Sequence, residues 1–206
     1  MSYATMMVHV DAERDSEQRV QLALELAERF EATLIGIAGL ALRPAFASTG
    51  IVVYGEPTER ELQYMRVRLE EIGRKFRSQS QCLKQFEWRS ALELPNELVA
   101  REARAADLII VGPRHLGRGD LVDPGVILLR AGRPVLVVPE IVTPHSFQRV
   151  AVAWKDTREC RRAVRDALPF LQQAKEVLLL EIGEGDANRR LSSISLTSPA
   201  ISCAIA

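Results

Sequence analysis

Apolar and polar positions along the first 140 residues switch repeatedly between short unbroken apolar runs and a helical period of three and four. Thr5 to Val10 is an apolar run that stops at Asp11, which predicts a strand. Asp15 and Gln18, three residues apart, predict a capping box. Val20, Ala23, Leu24, Ala27 and Phe30 then recur at helical spacing. Thr33 to Gly39 predicts a second strand, and residues 40 to 57, with Pro44, Gly50, Gly55 and Pro57, read as a loop. Thr58 and Glu61 form a second box before Leu62, Met65, Leu69, Ile72 and Phe76, the stripe of a long amphipathic helix. Gln85 to Ser90 alternates apolar with polar, as a strand with one wet face does near a sheet edge.

Pro95 then opens a helix with Leu98, Val99, Glu102 and Ala106, leading to the stretch that organises the rest, Asp107 to Glu140. It begins with the apolar run Leu108 to Val111, halted by Gly112, and ends with Val135 to Val138, halted by Pro139. Both runs read as strands covered on two faces. Between them Asp123 and Pro124 supply an N-cap and a first-turn proline, Ile127, Leu128 and Ala131 an apolar stripe, and Gly132 with Pro134 a stop. The alternation of strand and helix predicts right-handed crossovers and a parallel sheet with helices on both faces, an α/β fold.

After a linker holding Pro144 and His145 the pattern restarts. Arg149 to Trp154 predicts a strand. Thr157 caps a helix with Ala163, Ala167, Leu168 and Phe170 facing inward, and Val177 to Ile182 predicts another strand. The pattern then stops, and the serine-rich remainder is expected to be irregular and poorly ordered. The organisation is thus a domain at residues 1–143, a partial second one at 148–183 and an irregular tail at 184–206.

Composition narrows the function without naming it. Lysine and arginine number 27 and aspartate and glutamate 27, so no charge excess advertises nucleic acid or a cationic partner. No apolar run approaches the roughly 18 residues of a spanning helix, and no basic region precedes an apolar core at the N-terminus, so a cytoplasmic location away from membranes is expected. Cys82, Cys160 and Cys203 are scattered, as are the three histidines, which supports neither a disulfide frame nor a metal site.

The segments REARAADLIIVG (Arg101 to Gly112), LLRAGRPVLVVP (Leu128 to Pro139) and RVAVAWKDTRECRRAVRDALPFL from Arg149 onward resemble the universal stress protein (UspA-like) family in its tandem form. The resemblance spans residues 4 to 139 as one whole domain and about 149 to 183 as the start of a second. It implies an open, doubly wound, five-stranded sheet of order 3-2-1-4-5, like that of the adenine-nucleotide α-hydrolases. The terminal strand, here 135–138, would serve in homodimerisation. In some members ATP is held by a pattern G-x2-G-x9-G-(S/T) after the fourth strand. Gly112 and Gly125 match the first and third glycines with the spacing kept, whereas His115 stands at the second and Val126, without a hydroxyl, at the Ser/Thr. Pro113 removes a further N–H. Asp11 matches the acidic residue near the nucleoside.

The cofactor-site residues are therefore Asp11, Gly112, His115, Gly125 and Val126, with no catalytic or metal residue and ATP held weakly if at all. Arg114, Arg118, Arg130 and Arg133 read as surface cations, and Trp88 and Trp154 as packing residues. The implied function is that of a non-enzymatic stress-response protein acting through dimerisation or through partner or small-ligand binding. The alternatives are an ATP-binding universal stress protein and an ATP-dependent α-hydrolase-type enzyme. Against an enzyme, the first strand leads into DAERDSE rather than an S-G-G-x-D-S pyrophosphate loop.

Overall fold

The computed structural model describes residues 2–12, 16–41, 45–46, 52–53, 57–114, 122–140, 147–181 and 190–195, the two short pairs and the last segment as backbone only. The chain divides into two compact units, residues 3–142 and 143–206.

In the first unit β1 (Thr5–His9), α1 (Glu17–Phe30), β2 (Thr33–Gly39), a two-residue hairpin of β3 (Ala45–Phe46) and β4 (Val52–Val53), α2 (Glu59–Gln79), β5 (Phe86–Ala91), α3 (Pro95–Glu102), β6 (Leu108–Val111), α4 (Pro124–Ala131) and β7 (Val135–Val137) follow in order. The five main strands pair in parallel as β5-β2-β1-β6-β7, which is 3-2-1-4-5 when the hairpin is left out. Strand order reverses between β1 and β6, where the carboxyl ends of adjacent strands leave a crevice.

Helices cover both faces of the sheet. On one, Met7, Ile35, Ile37, Ile109 and Val111 pack with Leu98 and Val99 of α3 and Ile127 of α4. On the other, Phe76 of α2 is almost fully buried and reaches Gly36 of β2, where an added Cβ would stand 2.6 Å from the ring. Gly73, one turn earlier, admits Trp88 in the same way, and the two rings lie 5.4 Å apart. Thr58 and Glu61 form the expected reciprocal box. α1 begins after Ser16 with no side-chain cap; Asp15 lies outside the described residues. Burial of Ile109 and Ile110, both wholly enclosed, contributes about 1.5–3 kcal/mol each.

Three expectations are corrected in this unit. β7 is not covered on two faces: Val135 and Leu136 are half-buried and Val137 is 45% exposed, because β7 is the last strand of its sheet and pairs only with β6. On α4, Ile127 is buried but Leu128 is 55% exposed, so Leu128 does not belong to the inward stripe. The loop over residues 40–57 contains the β3–β4 hairpin.

The second unit comprises β8 (Arg149–Trp154), α5 (Arg158–Leu171), β9 (Glu176–Glu181) and β10 (Arg190–Ser195). β8 and β9 are parallel and joined by α5, whose Thr157 cap accepts from Cys160 N–H at 3.2 Å. Phe170 stacks on Phe147 at 4.7 Å, whereas Ala163 is exposed and Val164 half-buried in its stead. Val150, Val152 and Trp154 are half-buried while Ala151 and Ala153 are exposed, as expected where a single helix covers one face. The tail is not irregular throughout: β10 pairs antiparallel with β9 from Arg190↔Glu181 to Ser195↔Glu176. This pairing uses backbone groups that the free edge of β9 would otherwise leave open. The rest of the tail lies outside the described residues.

Candidate functional site at the strand switch point

β1 is drawn into the sheet by Met6, Met7 and Val8, all wholly buried, and the next residue in register carries the first polar group of the site. His9 is only 3% exposed, and its Nε2 has no hydrogen-bond partner. Burial, with the Arg19 guanidinium nearby, holds its pKa down at about 3, so the ring is neutral at physiological pH. Asp11, two residues on, is half-buried and lines a cleft of about 430 Å³ with Val10, Ser16, Arg68 and Lys75. Lys75 bonds Glu17 across that cleft at 3.0 Å, joining α2 to the start of α1.

The neighbouring strand ends at Gly112. Val8 of β1 lies opposite Ile110 of β6, which brings the carboxyl ends of the two strands side by side. Arg19 ties them together. Its Nε donates to the His9 carbonyl at 2.9 Å, and its Nη1 lies where a Cβ on residue 112 would be. Only glycine leaves that space.

α4 is the helix that comes after β6 in the chain. Asp123 caps it: Oδ1 accepts the Gly125 N–H at 2.8 Å and Oδ2 pairs with Arg114 Nε at 3.0 Å. The Asp123 N–H is itself held by Asn96 Oδ1 at 2.8 Å, so the starts of α3 and α4 are stitched together. Pro124 has no N–H to offer, and Val126, half-buried, has no hydroxyl.

The structure thus places Asp11 just past the end of β1, Gly112 at the end of β6, and Gly125 and Val126 on the first turn of α4, while His115 lies outside the described residues. The arginines do not converge on one anion. Arg114 is on Asp123, Arg130 pairs with Glu97, and Arg133 reaches Arg104 O and Asp107. Arg118 is outside the described residues. Sequence reasoning missed His9 and Arg19, and it read Asp123 only as a cap. The visible signal for His9 was a lone polar residue inside an apolar run. Among the described residues no group of three or more potential metal ligands occurs, and no helix is long and apolar enough to cross a membrane.

This arrangement is an open, doubly wound α/β sheet whose described cleft opens between the end of β1, α1 and α2. No protein-family model and no curated protein matches the chain. Solved structures do match. A universal stress protein from Archaeoglobus fulgidus DSM 4304 aligns over 89% of this chain and 67% of its own, with a TM-score of 0.66 and 14% identity. A universal stress protein family protein from Arabidopsis thaliana with AMP bound covers 69% of this chain and 97% of its own at TM-score 0.47 and 16% identity. A universal stress protein in complex with cAMP covers 68% and 98% at TM-score 0.46 and 20% identity. The Archaeoglobus match fixes the architecture, and the chain has the universal stress protein fold.

Proposed function

We propose that the chain is a non-enzymatic member of the universal stress protein family, whose switch point takes a small nucleoside-like ligand and holds nucleotide triphosphate weakly. The observation that carries this reading is the half-buried carboxylate of Asp11, just past the carboxyl end of β1 where strand order reverses, lining a cleft. Ligands of α/β sheets of this type bind at that point. The phosphate half is poorly equipped. Val126 cannot donate, and a lost hydrogen bond to a charged group is worth about 1.5–3 kcal/mol, or roughly one to two decades of affinity. Calorimetry should show adenosine binding and ATP with magnesium weaker than micromolar. A micromolar ATP constant, or steady phosphate release, would overturn the reading.

One further observation favours self-association. Val137 on β7 and Leu128 and Leu129 on α4 are exposed apolar residues at the end of the sheet. Val138 N–H donates inward to Val111 O at 2.9 Å, so by strand alternation the Val137 N–H points outward. An apolar edge with free backbone donors is a template for a second copy.

A further inference from the structure

Asp11 stands between two backbone carbonyls that are each held by a guanidinium. β1 ends at His9, whose carbonyl accepts from Arg19 Nε of α1 at 2.9 Å, and the Ala12 carbonyl accepts from Arg68 Nε of α2 at 3.0 Å. Between them the Val10 N–H still donates to Ile37 O of β2 at 2.8 Å. The segment that carries the Asp11 carboxylate is thus fixed before Asp11 by the sheet and α1, and after it by α2. Arg68 and Asp11 also line the same cleft, and the Arg68 side chain is 43% exposed, so it reaches the Ala12 carbonyl without belonging to the core. Its Nη1 lies 3.5 Å from Glu71 Oε2, three residues further along α2, which steadies the guanidinium in this pose.

We infer that Arg68 is a positioning residue of the nucleoside cleft: by holding the Ala12 carbonyl it fixes how Asp11 faces the ligand, and through Asp11 it selects nucleosides with a vicinal diol. The inference rests on the nucleoside-site reading above and names the residue that sets its selectivity. An ionised carboxylate only accepts hydrogen bonds, and its two oxygens suit two neighbouring hydroxyl donors such as those of a ribose. Such bonds weaken steeply off their preferred angle, so the discrimination depends on the carboxylate being held still. A tie on the very next residue, made from a different helix, supplies that hold.

The test is a calorimetric series with adenosine and 2′,3′-dideoxyadenosine as probes, on the full chain and on Arg68→Met, Arg68→Ala and Arg68→Gln. Methionine puts a methyl group where Arg68 has its Nε, whereas glutamine puts an amide nitrogen there. The first removes the bond to Ala12 O and the last can keep it. Both probes are uncharged, so loss of the guanidinium charge has little effect of its own, and thermal melting verifies the fold of each variant. The unaltered chain should bind adenosine about tenfold or more tightly than the dideoxy probe, the worth of hydrogen bonds to a charged group. That preference should be lost in Arg68→Met and Arg68→Ala and restored in Arg68→Gln. An undiminished preference in either folded disrupting variant would overturn the inference alone, as would equal loss in Arg68→Gln, equal binding of the two probes by the unaltered chain, or failure of both disrupting variants to fold. Failure of adenosine to bind the unaltered chain would overturn both the inference and the site reading beneath it.

Discussion

The Arg19 side chain lies over Gly112, with its Nε bound to the His9 carbonyl and its Nη1 filling the space a Cβ at residue 112 would need. The collision partner is the tip of a flexible side chain, so Gly112→Ala should not unfold the protein. It should displace the guanidinium and break the bond to His9 O, costing about 1 kcal/mol. Arg19→Ala should cost a similar amount, and the double variant little more than either single, because both remove the same interaction. Chemical denaturation of the four proteins checks this, and additive losses would show that the two residues act separately.

His9 predicts a pH dependence with a definite sign. Its folded pKa of about 3 lies below its ordinary value of 6.5. Above pH 6.5 the ring is neutral in both states and the pH has no leverage through it. Below 6.5 the unfolded chain takes up a proton that the fold refuses, so stability falls as pH drops from 6.5 toward 3, by at most about 1.4 kcal/mol per unit. His9→Leu should flatten the profile between pH 6.5 and 5. It should also gain about 1 kcal/mol at pH 7.5, because an unsatisfied buried nitrogen is gone. Guanidinium midpoints measured from pH 5 to 8 decide it, and an unchanged slope in the variant would assign the dependence to other groups.

These two residues also mark where the sequence stops being readable. β6 was legible to the residue because Leu108 to Val111 is covered on both faces, and two-face cover leaves an unbroken apolar run. β7 has the same composition, yet it is half-exposed: edge position is a property of topology and leaves no trace in Val135–Val137. β10 escaped notice because Leu191 and Ile194 are three apart, a spacing that matches no strand alternation, and only its pairing with β9 makes it a strand. At the site, Asp11 and Gly112 could be found because each ends an apolar run. Arg19 could not, since nothing in the period of α1 marks an arginine whose head turns back over a strand distant in sequence. Asp123 was visible, but nothing in the spacing marks Arg114 as the partner of its second oxygen.

The contrast between β6 and β7 yields the remaining prediction. Ile110 and Val137 are apolar residues on adjacent strands of one sheet, one wholly buried and the other 45% exposed. Ile110→Asp would place an unpaired charge among apolar neighbours on both sides, a cost of several kcal/mol that exceeds the stability margin of most domains. It should not fold. Val137→Asp puts the same charge on an open edge and should change stability by no more than about 0.5 kcal/mol. If β7 is where two copies meet, that charge faces its own image across the interface and the copies should separate. Light scattering should show concentration-dependent association for the unaltered chain and a monomer for Val137→Asp. A clean monomer for the unaltered chain across a wide concentration range would remove β7 as a self-association edge, and an unfolded Val137→Asp would show that this strand is covered after all.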